Sequence, residues 1–163
     1  MGYSIRSLDK THDVNSFNCG VVALDLWLKN MARQHQRKNL SGTSVLVDSE
    51  FPEIILGYYT LAIRGRILWD GVSEDMQKGL PKVVPALTLA RLAVSQQFQG
   101  QRHGERLLVD AMKSVKRIAQ KIGGSFLFVD AKNTELAKFY SRYGFVALSS
   151  DPSILCMKIT DIP

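Results

Sequence analysis

The feature that most constrains the fold is an apolar run that leads into a glycine-bearing turn and a long amphipathic pattern. Residues 84–94, VPALTLARLAV, are almost continuously apolar, with Arg91 as the one charged residue. A strand buried on both faces has this composition. Gly100 and Gly104 follow, and a helix is predicted beyond them, as far as the Gly123-Gly124 pair. This pattern is typical of a crossover unit in an α/β sheet. The apolar helix positions are Leu108, Ala111, Met112, Val115, Ile118, Ala119 and Ile122.

The rest of the chain alternates strand and helix patterns. Apolar residues from Leu24 to Met31 keep helical spacing and predict a helix that ends near Asn39. The order of elements predicts a mixed α/β (α+β) sheet with two crossover helices. The predicted strands are residues 3–8, 43–47, 54–62, 84–94, 126–129, 145–148 and 154–159; a further helix is predicted at 134–142, and residues 64–82 are predicted to be irregular with one helical turn.

Length and composition predict one globular domain. The chain has 163 residues, 45% of them hydrophobic, with no linker or repeat, so residues 1–163 are predicted to form a single domain. No apolar stretch reaches the roughly 20 residues of a membrane span, and the start lacks a signal-peptide pattern. We therefore expect a cytoplasmic protein without a membrane partner. Cys19 and Cys156 are expected to be reduced thiols.

The charge pattern favours an anionic partner. The formal net charge is +6, and a basic surplus attracts polyanions. The basic surplus is concentrated in two segments. No acidic residue lies between Asp25 and Asp48, and residues 102–121 hold six basic residues but only two acidic ones. Each segment fits either a solvated helix face or a binding surface, and the sequence leaves both open. The basic residues of the first segment are Lys29, Arg33, Arg37 and Lys38.

The turn before the long helix has the composition of a phosphate site. Gly100 and Gly104 allow close backbone approach, and the helix N-terminus offers N–H groups at its positive dipole end. Arg102, Arg106 and His103 add positive charge for a diphosphate. An ordinary tight connection would also use glycines, so both interpretations stand. The spacing matches neither a P-loop nor a dinucleotide fingerprint.

Two motifs carry a resemblance to a known family. The run Gln99-Gly100-Gln101-Arg102-His103-Gly104 is similar to the coenzyme A signature Q/R-x-x-G-x-G/A of the GNAT N-acetyltransferases. Asn133 with residues 137–145, AKFYSRYGF, is similar to the family's "N…A..FY...GF" segment. Residues 17–28 and Asp151-Pro152 resemble GNAT toxins of bacterial toxin–antitoxin modules. The resemblance implies the GNAT fold, a central mixed twisted sheet of about six to seven strands flanked by about four helices.

The resemblance implies acetyl-CoA as cosubstrate and direct acetyl transfer. Asn133 would contact the cofactor arm, although it also suits a helix N-cap. Arg102 stands where the family most often has its first glycine. A first-turn helical residue needs no positive φ, which would allow arginine there, yet its side chain could also obstruct the turn. The implied cofactor-binding residues are Leu92, Ala93, Val94, Gln99, Gly100, Gln101, Arg102, His103, Gly104, Glu105 and Asn133.

The resemblance also implies a catalytic tyrosine. Tyr140 occupies the "FY" position and would donate a proton to the departing thiolate, with Tyr143 as the weaker alternative. His12, His35 and His103 form no cluster with carboxylates, so no strong general base is visible. An α-amino acceptor, with a pKa near 7.7 to 8.0, fits a site without a base better than a lysine does. No residue cluster has metal-ligand spacing, so no metal is expected.

The implied function is that of a toxin that acetylates the α-amino group of aminoacyl-tRNA and blocks translation. The implied partners are a DNA-binding antitoxin and a second copy of the chain. Alternatives are a GNAT enzyme for a protein N-terminus or a small amine, and a non-catalytic nucleic-acid-binding module. Arg91 either pairs with an internal carboxylate or faces the acceptor. The predicted tRNA-binding residues are Lys29, Arg33, Arg37, Lys38, Arg64, Arg66 and Arg91.

Overall fold

The computed structural model describes residues 2–67 and 71–163, without the side chains of Arg66 and Ile67. The strands are β1 (Tyr3–Ser7), β2 (Gly42–Asp48), β3 (Gly57–Ile67), β4 (Val84–Val94), β5 (Phe126–Asp130), β6 (Val146–Ala147) and β7 (Ile154–Lys158). The α-helices are α1 (Val22–Asn30), α2 (Ala32–Arg37), α3 (Glu74–Gln77), α4 (His103–Ile122) and α5 (Thr134–Ser141).

The strands form one mixed sheet, which confirms the predicted fold class. Its order is β1-β2-β3-β4-β5-β7-β6. β1 pairs with β2 and β2 with β3 antiparallel, whereas β4 and β5 pair in parallel through the crossover helix α4. β5 and β6 each pair antiparallel with β7. The parallel pair explains the continuous apolar composition of β4.

Three predicted boundaries were wrong. The helix predicted from Leu24 to Asn39 is two helices separated at Met31, whose φ of −119° departs from helical geometry. β3 continues to Ile67, so Arg64 and Arg66 belong to a strand and not to an irregular segment. β6 is only two residues long. The first error arose because the spacing of apolar residues does not reveal a local change of dihedral angle. The second arose because the strand continues through charged residues, which the sequence pattern did not assign to a strand.

The first compact unit consists of Met1–Ala62 and Ala90–Ala111. Its core forms around Val45 and Val47 of β2 and Tyr58 of β3, against the buried residues Leu28 and Ala32. The rings of Phe17 and Tyr58 meet edge to face at 5.4 Å, a favourable aromatic geometry. The amphipathic faces of α1 and α2 are thus accounted for by this core.

The second compact unit consists of Ile63–Leu89 and Met112–Pro163. Phe126 and Phe128 of β5 form its core with Val84, Ala86 and Cys156. Cys19 and Cys156 are both buried free thiols, as predicted, and burial raises the pKa of each to about 11. Within the described part of the chain, no helix has the length and apolar character needed to cross a membrane.

Candidate active site

The junction between β4 and α4 is anchored by backbone hydrogen bonds. The Ser95 N–H donates to the Leu56 carbonyl and the Gln96 N–H to the Asn18 carbonyl, both at 2.8 Å. The Gln99 side-chain amide donates back to the Val94 carbonyl at 3.0 Å. These bonds fix the start of the loop, so the remaining residues must turn sharply before α4 begins.

The turn contains two residues in the left-handed region. Gly100 has a φ of +82° and Arg102 a φ of +64°. The expectation that Arg102 needs no positive φ was therefore wrong, because the loop closes in a left-handed conformation one residue before the helix begins. A non-glycine residue in this region costs about 1–2 kcal/mol. The same geometry explains why the family motif has glycine there.

The N-terminus of α4 fits a diphosphate. The helix has 20 residues, and the Arg106 N–H donates to the Arg102 carbonyl at 3.1 Å. The N–H groups of His103, Gly104 and Glu105 precede this first helical bond and have no intrahelical acceptor. Even a Cβ on Gly100 would have no heavy atom within 4 Å. Protein atoms therefore leave space beside Gly100, and free N–H groups at a helix N-terminus are donors of the kind that bind phosphate.

His103 does not add positive charge to this loop. Its side chain is buried, and burial, followed by the nearby Arg106 guanidinium, lowers the pKa of His103 below its usual value. Arg106 donates to the Gln101 carbonyl at 2.6 Å and contacts His103 Nδ1 at 3.0 Å. Because arginine only donates, Nδ1 accepts and the imidazole is neutral. Arg106, whose guanidinium also lies 4.8 Å from the Tyr3 ring centre, braces the loop.

The last residues of β4 are held by a close backbone contact. The recorded β4–β5 pairs end at Leu89, so Leu92, Ala93 and Val94 lie past the last pair. A Cβ on Gly57 would lie 2.8 Å from the Ala93 carbonyl oxygen, closer than real Cβ atoms approach. Gly57, whose missing side chain permits this approach to Ala93, was not singled out from the sequence. An isolated glycine within a strand pattern was the available signal, since it often marks close backbone approach.

The β5–α5 junction places the predicted tyrosine. The Asn133 side chain accepts a hydrogen bond from the Leu136 N–H at 2.9 Å, so it is an N-cap. Tyr140 is buried, and its ring packs edge to face on Phe139 at 5.3 Å and Phe145 at 5.6 Å. The aromatic contacts fix the ring, and the hydroxyl is the remaining polar end of the side chain.

The electrostatics of this unit keep Tyr140 protonated. Burial, and after it the Asp130 carboxylate, raise the pKa of Tyr140 to about 12. Asp130 lies 3.9 Å from Arg64, whose guanidinium also covers the Phe128 ring at 4.4 Å. A phenol with this pKa remains an available hydrogen-bond donor at neutral pH.

The predicted basic residues differ in how the structure uses them. Arg33 donates to the carbonyls of Asp9, at 2.8 and 3.1 Å, and His12, at 2.6 Å, so its guanidinium fastens the N-terminal loop. Arg91 packs on Trp27. The side chain of Arg66 lies outside the described residues. The remaining cations of α1, α2 and the residue that follows are exposed: Lys29, Arg37 and Lys38.

No metal site is evident in the part of the chain that the structure describes. No three His, Cys, Asp or Glu side chains come together there as a possible ligand set. His12 instead accepts from the Asp9 N–H at 3.1 Å, within a local turn.

Relatives of known function match the chain along most of its length. A tRNA-acetylating toxin of Mycobacterium tuberculosis is 30% identical over 161 residues, which cover 98% of this chain and 95% of the relative. A probable toxin TacT of Sinorhizobium fredii is 25% identical and covers 97% of this chain and 92% of the relative.

Solved structures match equally well. A tyrosine-to-phenylalanine mutant of KacT has a TM-score of 0.90 at 29% identity, covering 99% of this chain and 98% of that chain. AtaT complexed with acetyl-methionyl-tRNAfMet has a TM-score of 0.87 at 30% identity, covering 99% and 97%. A tyrosine-to-phenylalanine mutant of AtaT bound to acetyl-CoA and the C-terminus of the antitoxin AtaR has a TM-score of 0.81 at 28% identity, covering 98% and 95%.

The family model for the acetyltransferase (GNAT) domain matches residues 27–154. This range includes the β4–α4 loop, the capped helix α5 and Tyr140, which are the parts described above. The chain therefore belongs to the GNAT acetyltransferase family and is related to the tRNA-acetylating toxins.

Proposed function

We propose that this protein is the toxin of a toxin–antitoxin module, which transfers acetyl from acetyl-CoA to the α-amino group of aminoacyl-tRNA and so blocks translation. The observation that carries the proposal is the near full-length similarity to a tRNA-acetylating toxin. The open helix N-terminus and the protonated, buried tyrosine support the chemistry. Because the family match crosses both compact units, we propose that residues 1–163 act as one acetyltransferase domain.

The first step is to hold the coenzyme. The free N–H groups at the start of α4 bind the diphosphate, and Arg102 adds a guanidinium beside them. Gln99, Gly100 and Gln101 shape this loop. Leu92, Ala93 and Val94, which lie past the last β4–β5 pair, offer strand backbone to the pantetheine arm, while Asn133 adds an amide contact in addition to its cap. Fixing the thioester in this way supplies much of the acceleration, because it replaces a random encounter by an oriented one.

Tyr140 assists the departure of the thiolate. The neutral amine attacks the thioester carbonyl, the new C–N bond forms, and the C–S bond breaks. The phenolic O–H of Tyr140 gives its proton to the sulfur as negative charge develops, and the proton lost by the amine returns through water to the Tyr140 oxygen, so that the products are an amide and a free thiol. The raised pKa of Tyr140 ensures that the hydroxyl carries its proton throughout the neutral range.

The acceptor is an α-amine attached to RNA. An α-amino group is partly neutral near pH 7.7 to 8.0 and needs little help from a base, unlike a lysine side chain. We propose that Lys29, Arg37 and Lys38 contact the phosphate backbone, together with Arg64, Arg66 and Arg91. Arg33 contributes to RNA binding indirectly, because its guanidinium holds the N-terminal loop at Asp9 and His12 in place. Such contacts make the affinity depend strongly on salt.

We further propose that a DNA-binding antitoxin neutralises the protein, that the protein forms a homodimer, and that it acts in the cytoplasm. The support for the antitoxin is the structure of the AtaT mutant with the C-terminus of AtaR. An acidic antitoxin segment would compete with RNA for the same basic surface.

The deciding experiment incubates the protein with labelled acetyl-CoA and charged total tRNA and then measures N-acetyl-aminoacyl ester. We expect label on the aminoacyl ester with the wild type and severe loss with Tyr140→Phe. Labelling of protein N-termini or small amines, with no labelled aminoacyl ester, would contradict the proposal.

A further inference from the structure

Arg91 is a half-buried cation inside the apolar strand β4. Its guanidinium carbon lies 3.9 Å from the centre of the Trp27 ring, within cation–π distance. Burial lowers the pKa of Arg91 and the nearby Tyr58 raises it, but an arginine keeps its proton in either case. The structure thus places a permanent charge at a partly desolvated position.

The Trp27 ring, on which the Arg91 guanidinium rests, is itself packed against two other rings. The ring of Tyr58 lies nearly parallel to it, at an interplanar angle of 12° and a centroid distance of 6.4 Å. His35 meets it edge-on at 5.5 Å. The Tyr58 hydroxyl donates to the Leu24 carbonyl at 2.8 Å, which fixes the stack to α1. Arg91 therefore rests on a rigid aromatic support.

No described carboxylate neutralises Arg91. Among the described residues, the arginine that lies within ion-pair distance of a carboxylate is Arg64, 3.9 Å from Asp130. The nearby Asp25 carboxylate accepts from the Cys19 N–H at 2.9 Å. Of the two interpretations that the sequence left open for Arg91, internal pairing with a carboxylate is therefore wrong for the described residues. Stacking occupies the face of a guanidinium and leaves its in-plane N–H donors available.

Arg33 shows the alternative use of an arginine in the same unit. Its guanidinium donates three hydrogen bonds to backbone carbonyls. The Arg91 guanidinium, by contrast, donates no hydrogen bond within the part of the chain that the structure describes. Because the guanidinium is partly desolvated and its N–H donors have no acceptor within the described chain, they are suited to an external anion.

We propose that Arg91, positioned by Trp27, binds the last internucleotide phosphate of the acceptor RNA, next to the nucleotide that carries the amino acid. This inference rests on the proposed function. Arg91 directly precedes Leu92, which begins the segment assigned to the pantetheine arm, so its ligand lies close to the acylated end. The planar fork of a guanidinium matches two phosphate oxygens, and an aromatic support holds it without competing for them. Trp27 is thus a positioning residue.

The test compares two minimal acceptors that differ by one phosphate. Aminoacyl-adenosine has none, and aminoacyl cytidylyl-adenosine has one; both carry an amino acid that the wild type acetylates on tRNA. Arg91→Lys should raise the KM for the dinucleotide roughly tenfold or more, because it loses the fork. The KM for aminoacyl-adenosine and for acetyl-CoA should not change. Equal losses with both acceptors, or no loss with either, would overturn the proposal.

Trp27 is tested by a conservative and a non-conservative change. Trp27→Leu should reproduce the dinucleotide-specific rise in KM, whereas Trp27→Phe, which keeps an aromatic face, should restore most of the affinity. Unchanged acetyl-CoA affinity shows that each variant is folded. Lys113→Ala, which removes an exposed cation of α4 with no assigned role, is the matched charge control and should have no effect. A Trp27→Leu protein with wild-type KM values would refute the positioning role.

A binding measurement separates this proposal from the proposed function. An uncharged RNA hairpin that ends in CCA is titrated by fluorescence anisotropy, with a hairpin lacking the last two nucleotides as the comparison. Arg91→Lys should weaken binding of the CCA hairpin and leave the shortened hairpin unaffected. If the wild type acetylates no aminoacyl acceptor but this difference persists, the proposed function fails and the phosphate contact stands. If the difference is absent, the phosphate contact fails.

Discussion

The β4–α4 and β5–α5 junctions each lead from a strand into a helix whose first N–H groups lack intrahelical acceptors. They differ in whether a side chain supplies an acceptor. At β5–α5, Asn133 has extended backbone geometry, and its side chain accepts from the Leu136 N–H at 2.9 Å, so one of the first helical N–H groups is satisfied internally. At β4–α4, Gly100 and Arg102 adopt left-handed conformations, and the first helical N–H groups have no intrahelical acceptor. The capped junction is suited to positioning a side chain, Tyr140. The uncapped junction is suited to binding a ligand through its backbone.

The largest expected effect tests the capped junction. Tyr140→Phe should lower kcat by roughly 10²- to 10⁴-fold, because the proton donor is lost while the ring packing remains. The KM for acetyl-CoA should not change, which steady-state kinetics will show. Tyr143→Phe, in the turn two residues beyond the end of α5, is the matched control. A severe loss in Tyr143→Phe alone would move the catalytic role to that residue.

The next effect tests the uncapped junction. Gly100→Ala should destabilise the loop by about 1–2 kcal/mol, since φ is positive, and should raise the KM for acetyl-CoA. Gly123→Ala imposes similar strain, at a φ of +87° and equally open space, beyond the other end of α4. Both should lower the Tm, but only Gly100→Ala should change the KM. If the two variants had equal KM values for acetyl-CoA, the loop would not be part of the coenzyme site.

Removing the Asn133 cap measures how much its hydrogen bond contributes to the free energy of unfolding. Asn133→Ala should lower the free energy of unfolding by about 1 kcal/mol, because the Leu136 N–H loses its acceptor. Chemical denaturation measures this change. Asn133→Asp keeps the cap and should retain the stability. If the amide also contacts the coenzyme, as proposed, Asn133→Asp should raise the KM for acetyl-CoA despite normal stability.

Arg102→Gly should make the uncapped junction easier to form. Release of the left-handed strain, partly offset by the extra chain entropy of glycine, should stabilise the protein by up to about 1 kcal/mol. The KM for acetyl-CoA should rise and its salt dependence weaken, because a guanidinium is lost. Asn39→Gly is the control, since Asn39 also has a positive φ, +59°, outside the proposed coenzyme loop. A lower KM in Arg102→Gly would mean that the arginine obstructs the site.

The last expected effect appears only at alkaline pH, outside the range in which the protein is proposed to act. The pKa of Tyr140 is raised from its ordinary value of 10.0 to about 12 in the folded protein, so the folded state holds this proton more tightly than the unfolded state. The resulting stability is fully present below pH 10 and is lost as pH rises towards 12. Tyr140→Phe should therefore reduce the fall in the free energy of unfolding over this range. An unchanged pH dependence would contradict the assigned pKa.

Motif chemistry was predictable where it depends on neighbours in the chain. The strand, glycine turn and long helix from Val84 to Ile122 were visible because burial periodicity and glycine placement are local signals. The N-cap role of Asn133 was predictable for the same reason. Arg102 was not: its dihedral angle follows from how the anchored loop must close onto α4. Gly57 escaped notice because its role depends on Ala93, far away in the sequence.

The sequence by itself determined the alternation of strands and helices, because this follows from periodicity along the chain, and its motifs carried the family resemblance that points to Tyr140. Only the tertiary structure decided which cations are available. Arg33, in a polar helical segment, and Arg91, in an apolar strand, were both predicted to bind RNA, yet the guanidinium of Arg33 donates to backbone carbonyls and that of Arg91 rests on Trp27. Hydrogen-bond partners distant in sequence make that difference, since a charge is available only where the fold supplies no acceptor.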